Sequence, residues 1–199
     1  MPSATLYRRL VPGLLLLSLS IAGLPAASIP TIPGVDNFHQ VDEHVYRGAQ
    51  PHDEGYAGLA KLGIKTVLDL RGENGEEKSV QGAGMRYVRL PWSGFKAPDE
   101  SQIKAVMALL NDQSAWPVFV HCRRGADRTG TAIACYRIEH DHWTGLQALI
   151  EAKTFGMSSL EMAMQHFILG FSVPPPAANL ASTTAVASPA AVPVLQPAP

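Results

Sequence analysis

Cys122 and Arg128 are separated by five residues, and the run that holds them is Val118-Phe119-Val120-His121-Cys122-Arg123-Arg124-Gly125-Ala126-Asp127-Arg128-Thr129-Gly130. A β-branched and aromatic stretch ends at His121-Cys122, and a helix-forming stretch follows Arg128. The pattern predicts a strand, a tight loop and a helix N-terminus. Backbone N–H groups in such a loop can converge on one centre and cradle a tetrahedral oxyanion. Arg128 can grip two oxygens of that anion with its planar fork. A positive field of this kind favours the thiolate of a cysteine, which is the nucleophilic form. The chemistry implied is attack by the Cys122 sulfur on an oxyanion centre held between Arg128 and the loop amides.

The elements around the loop must position it. Phe38 to Val41 and Val45 to Arg47 read as short strands around Asp42-Glu43. Asp53 to Leu62 reads as a helix stopped by Gly63. Lys65 to Leu70 reads as a buried strand, and Arg71 to Lys78 as a charged loop with a short helix to Ala83. Met85 to Leu90 is the next strand, and Pro91 to Pro98 a loop carrying Trp92 and Phe95. Asp99 can cap a helix running to about Gln113, with Ile103, Val106, Met107 and Leu110 on one face. Helices at about Thr144 to Thr154 and Ser158 to Gly170 follow the Cys122 unit. Strands and helices alternate, so the expected fold is α/β, a single domain with a mostly parallel sheet of four to five strands flanked by helices. The Cys122 loop then lies at the carboxyl end of a central strand, where open α/β sheets place their ligands.

His121, Cys122, Gly125, Arg128, Thr129 and Gly130 together resemble the signature of the cysteine-dependent protein tyrosine phosphatases: His-Cys, five residues, Arg, then Ser or Thr. Val45-Tyr46-Arg47-Gly48-Ala49-Gln50-Pro51 and Leu68-Asp69-Leu70-Arg71 look like pieces of the small bacterial and atypical dual-specificity members. The resemblance runs from about Phe38 to Leu169. It implies hydrolysis of a phosphate monoester through a cysteinyl-phosphate on Cys122. Arg123, Arg124, Gly125, Ala126, Asp127 and Arg128 would hold the phosphate. Thr129 would assist the thiolate and His121 would orient the loop. It implies no cofactor, and the sequence displays no metal-ligand cluster.

The family's usual proton donor is an aspartate on a loop before the cysteine. Counting back to that place reaches Leu90-Pro91-Trp92-Ser93-Gly94, which holds no carboxylate. Two candidates remain. Asp99 lies on the far side of the same loop and doubles as a helix cap. Asp127 lies inside the signature loop and resembles the Asp-Arg-Thr ending of myotubularins; its alternative role is to pair with an arginine of the loop. Arg123 and Arg124 suit a substrate with several phosphates, such as a phosphoinositide or inositol polyphosphate. They could equally face solvent or pair with acids between Glu73 and Glu77. Phosphotyrosine on a protein is the default substrate, with dual specificity open. The rival classes are a rhodanese-like sulfurtransferase and a non-catalytic phosphate-binding module.

The chain has 16 Lys and Arg against 17 Asp and Glu, a formal charge of −1, which is not the balance of a general nucleic-acid binder. Arg8 and Arg9, an apolar stretch from Leu10 to Leu24, and small residues at Ala26, Ala27 and Ser28 have the layout of a secretory signal peptide over residues 1–28. The chain is therefore expected to be exported, to the periplasm or outside the cell, touching the membrane only through that peptide before cleavage. Val173 to Pro199 carries no charge and is rich in Pro and Ala, the composition of a disordered tail. Residues 29–172 form the expected domain. Only two cysteines occur. Cys135 falls about 10 Å along the helix that follows Arg128, too far for an unstrained bridge to Cys122, and reads as a small buried apolar residue.

Overall fold

Residues 31–73 and 75–173 are described by a computed structural model; the expected signal peptide and the tail beyond Val173 lie outside the described residues. The five residues of β5 (Val118–Cys122) are all buried. Strand residues alternate between faces, and here both faces are covered, which is why the strand reads as a nearly continuous apolar run. β5 is the middle strand of a five-stranded sheet of order β1-β2-β5-β3-β4. Its parallel neighbours are β2 (Val45–Ala49) and β3 (Thr66–Asp69). β4 (Arg86–Arg89) lies parallel outside β3, and β1 (His39–Gln40) pairs antiparallel with β2. The register sets Ala49 opposite Cys122 on one side and Asp69 opposite His121 on the other.

One core unites Leu68, Val118 and Val120 of the sheet with Ile103, Val106 and Leu110 of α3 (Glu100–Leu110) and with Ile133 and Tyr136 of α4 (Asp127–His140). The opposite face packs Tyr46, Val67 and Phe119 against Tyr56 and Leu59 of α1 (Asp53–Leu62) and Val80 of α2 (Glu77–Gly82). A third cluster joins α4 to α5 (Gly145–Thr154) and α6 (Met162–Gly170).

β2 runs on to Ala49 rather than ending at Arg47, and two helix boundaries differ from the sequence expectation. The helix begun at Asp99 stops at Leu110, and a separate 3-10 turn covers Gln113–Ala115, because Asp112 caps it by accepting from the Ser114 N–H at 2.9 Å. The last helix begins at Met162 rather than Ser158. Ser158 belongs to a turn whose N–H is spent on Asp127, and its Oγ accepts from the Leu160 N–H at 3.2 Å. Among the described residues, no helix is long and apolar enough to cross a membrane.

Candidate active site

The loop from Cys122 to Arg128 owes its shape to where its carbonyls point. The Gly125 oxygen accepts from Arg47 Nη2 at 2.9 Å and from Asn37 Nδ2 at 3.2 Å. The Arg124 oxygen accepts from the same Asn37 amide at 3.3 Å, and the Arg123 oxygen from the Gln50 N–H at 3.4 Å. Across a trans peptide the next N–H points the opposite way. Turning these three carbonyls toward β2 therefore aims the N–H groups of Arg124, Gly125 and Ala126 at the interior of the loop. The free N–H groups at the start of α4 add to the same anion-binding centre. Gly125 sits at φ +67°, and a Cβ there would overlap the Gly48 carbonyl, so both the conformation and the contact require glycine.

The cation behind this arrangement is buried in β2. Arg47 is 1% exposed, and its guanidinium lies 4.1 Å from the Phe155 ring centroid. Burial lowers its pKa to about 10, opposed by the charges of Glu151 and Cys122, so it stays cationic at neutral pH. Asn37, held at φ +52°, also donates to the Phe155 carbonyl at 3.0 Å and ties the signature loop to the α5–α6 connection. Neither residue stood out in the sequence as part of the site. The available signal was an arginine inside an otherwise apolar strand.

Arg128 donates from Nη1 to the Leu70 carbonyl at 3.2 Å and the Trp92 carbonyl at 3.4 Å. Its Nε and Nη2 have no protein partner among the described residues, which leaves one edge of the fork for an anion. Cys122 is buried and free. Thr129 is fully buried, and its Oγ1 has no hydrogen-bond partner.

Beneath the loop lies a buried polar network in which Glu76 Oε1 and His121 Nε2, though close, have no hydrogen-bond partner. His121 Nε2 is 2.6 Å from Glu76 Oε1 and 3.9 Å from Asp69 Oδ1. Its Nδ1 faces the Cys122 carbonyl at 3.4 Å. Arg71 holds Asp69 through two bonds of 2.9 Å and reaches Glu76 Oε2 at 3.0 Å. Tyr56 donates to Glu76 at 3.0 Å and Tyr87 to Asp69 at 2.9 Å. Burial pushes the Asp69 carboxyl up, but the bonds from Arg71 and Tyr87 and the nearby His121 more than offset it, so its pKa is lowered. The ligand atoms of Asp69, Glu76 and His121 lie within 4.8 Å of one another, a spacing that could hold a metal. Arg71 already supplies a cation between the two carboxylates.

The remaining candidates fall apart in space and role. Both carboxylate oxygens of Asp127 are engaged: Oδ2 accepts from Arg124 Nη2 at 2.6 Å and Oδ1 from the Ser158 N–H at 2.8 Å. Arg124 thus pairs within its own loop, not with the acids between Glu73 and Glu77. Arg123 is exposed and makes no side-chain bond among the described residues. Asp99 is the N-cap of α3, accepting from the Gln102 N–H at 2.8 Å and from Ser101 Oγ at 2.6 Å. These bonds hold its pKa below the ordinary carboxylate value, and the residue is exposed. Cys135 is fully buried, which raises its pKa and keeps it a neutral thiol.

A family described as a DSP-PTPase phosphatase fused to NAD+ kinase matches residues 30–168. The chain belongs to this family. The phosphatase domain is similar to the dual specificity protein phosphatase TpbA of Pseudomonas aeruginosa, 30% identical over 120 residues that cover 60% of this chain and 55% of that protein. It is also similar to the inositol diphosphatase DSP1 of Oryza sativa subsp. japonica, 26% identical over 144 residues covering 69% and 64%. The crystal structure of P. aeruginosa TpbA superimposes with a TM-score of 0.63 at 27% identity, covering 72% of this chain and 89% of that one. The catalytic core of the S. cerevisiae PP-IP phosphatase Siw14 gives a TM-score of 0.64 at 23% identity, covering 71% and 89%, a likeness of fold. The chain spans about half to two thirds of the length of the first of these curated relatives.

Proposed function

We propose that the domain hydrolyses phosphate monoesters, with phosphotyrosine on proteins as the main substrate and phosphoserine or phosphothreonine also accepted. The observation that carries this reading is the outward turn of the Arg123, Arg124 and Gly125 carbonyls, which leaves a ring of N–H donors between the Cys122 thiol and the Arg128 fork. Such a site stabilises charge spread over the equatorial oxygens of a transferring phosphoryl group. The Cys122 sulfur attacks phosphorus, the bond to the ester oxygen breaks, and the leaving oxygen takes a proton. Water then cleaves the S–P bond, giving phosphate and the free thiolate. Thr129 Oγ1 is buried without a hydrogen-bond partner, so its hydroxyl is free to turn toward that sulfur as it leaves.

Asp127 is our proton donor. Asp99 is exposed and spends its carboxylate on capping α3, whereas Asp127 lies inside the signature loop directly before Arg128. The Arg124 side chain that covers Asp127 is 64% exposed, so this ion pair is weak and can open as substrate enters. A second reading, an inositol polyphosphate or phosphoinositide substrate, is favoured by the unpaired, exposed Arg123 at the rim. A panel of phosphotyrosine peptides, phosphoserine peptides and inositol phosphates, assayed with the domain 29–172, separates the two. Thiosulfate as a donor tests the sulfurtransferase class, and absence of turnover on every ester would leave a phosphate-binding module. Vanadate is expected to inhibit and EDTA to have no effect. Export is proposed on the composition of residues 1–28, and the N-terminal residue of the protein recovered from periplasm and medium tests it.

A further inference from the structure

We propose that Arg47 is a positioning residue that adds a second cation to the anion site and, acting through one peptide of the signature loop, makes the site favour a dianion over a monoanion. Arg47 lies in β2 and is 1% exposed. Its Nε and Nη1 have no hydrogen-bond partner. Among the described residues no carboxylate pairs with it. Glu151, whose charge reaches it, is held instead by Arg137, which donates from Nε at 3.2 Å and from Nη2 at 3.0 Å. The Phe155 ring face at 4.1 Å offsets only part of the cost of a buried charge. An apolar side chain of similar length would sit in this place at less cost to stability.

The one donor that Arg47 spends gives the charge its consequence. Nη2 donates to the Gly125 carbonyl at 2.9 Å. That carbonyl and the Ala126 N–H belong to one trans peptide and point opposite ways. A cation on the carbonyl side polarises the peptide and makes the N–H on the other side a better donor to an anion. The charge also acts directly across the peptide, in an interior that screens it poorly. Arg128 meets the anion with its fork, whereas Arg47 never touches it. An attraction of this kind grows with the charge of the ligand, so a phosphate monoester dianion gains more than a monoanion of the same shape. Asn37 supplies the contrast: its Nδ2 donates to the same Gly125 carbonyl at 3.2 Å and to the Arg124 carbonyl at 3.3 Å, without a charge. Asn37 shapes the loop, and Arg47 both shapes and charges it. The other charged and titratable groups around the guanidinium are His39 on β1, Glu151 on α5, Arg137 on α4 and Cys122 on β5.

Because this role presupposes that the signature loop is the anion site, the test reads binding without turnover. The wild type, Arg47→Gln, Arg47→Met and Asn37→Gly are titrated at one mildly alkaline pH with two probes. Phenylphosphonate is there mostly a dianion, and benzenesulfonate is a monoanion of nearly the same shape; amide NMR shifts give each Kd. Arg47→Gln keeps an N–H donor and removes the charge. It should weaken phenylphosphonate by about tenfold and benzenesulfonate by about threefold. Arg47→Met should separate the two probes at least as far, and it remains the test if Arg47→Gln fails to fold, since an apolar side chain suits the buried position. Asn37→Gly removes the neutral donor at a position whose φ of +52° glycine adopts freely, and it should weaken both probes by the same factor. Equal weakening of the two probes in the Arg47 variants, no weakening at all, or the same loss of discrimination in Asn37→Gly would overturn the proposal, as would a wild type that binds neither probe. A wild type that binds both but hydrolyses no phosphate ester would instead overturn the proposed function and leave this comparison standing.

Discussion

The loop from Cys122 to Arg128 and the β4–α3 connection from Leu90 to Pro98 meet at one guanidinium, yet they are held in different ways. In the first, three successive carbonyls are captured by Asn37, Arg47 and Gln50, and Cys122, Gly125, Ala126 and Asp127 are buried. In the second, Trp92 is anchored, but Phe95 is 86% exposed. Its main ties are the Trp92 carbonyl to Arg128 at 3.4 Å and the Pro91 carbonyl to Gln102 at 2.9 Å. The family's usual acid belongs to the second, looser loop, and there this chain has none. In the proposed reaction, phosphate binding and attack thus fall to the more firmly held element, where preorganised donors do most. Proton delivery must come from the same element or from the cap beyond the connection.

The sharpest break in this comparison is Cys122→Ser. The hydroxyl is a far weaker nucleophile at neutral pH, so turnover should vanish while binding of a phosphate-like ligand, read by calorimetry, persists. Substantial residual turnover would remove the thiophosphate step. Gly125→Ala attacks the rigid loop itself. A Cβ would overlap Gly48 in a left-handed conformation, with an expected loss of about 2–3 kcal/mol in denaturant unfolding and of most activity.

Asp127→Asn asks whether the rigid element also supplies the proton. Poor leaving groups such as alkyl or tyrosyl phosphates should slow by about 10²–10⁴-fold, and an activated aryl phosphate far less.

Asp69→Asn tests the floor of the loop through stability. Its folded pKa is lowered, so its contribution is present above the ordinary value of 3.8 and is lost as pH falls through the folded value. Wild-type denaturation midpoints should therefore drop in that acid window, and the drop should be shallower in the variant. At neutral pH the variant should lose about 3 kcal/mol, since a buried arginine loses a partner.

The smallest effect is expected from Asp99→Asn. Asparagine caps a helix as well as aspartate does, so melting temperature and rates on both classes of ester should stay close to wild type. If instead Asp99→Asn shows the leaving-group dependence and Asp127→Asn does not, the proton comes from the looser loop, and the contrast between the two fails where it matters most.

The strand, loop and helix around Cys122 were legible because they are contiguous. An apolar run buried on both faces, a glycine at the turn and a helix-forming run after Arg128 dictate that geometry within a short stretch of chain. The parallel α/β sheet followed from the alternation of elements, and Asp99 as a cap followed from local side chain-to-backbone bonding. The order of the sheet decided the rest. Placing β5 between β2 and β3 brings Arg47 to Gly125 across 78 residues, Asn37 to Phe155 across 118, and Asp69 beside His121. Periodicity records which face a residue takes but not which strand lies next to it. The sequence by itself therefore determined the strand-loop-helix unit that carries Cys122 and Arg128, the candidate nucleophile and anion clamp, and the gap where an acid is usual. Only the tertiary structure decided what holds the loop open, that Asp127 is paired with Arg124, and that Glu76 stands behind His121. Those contacts join segments distant in the chain, and the burial that strengthens them exists only once the sheet is assembled.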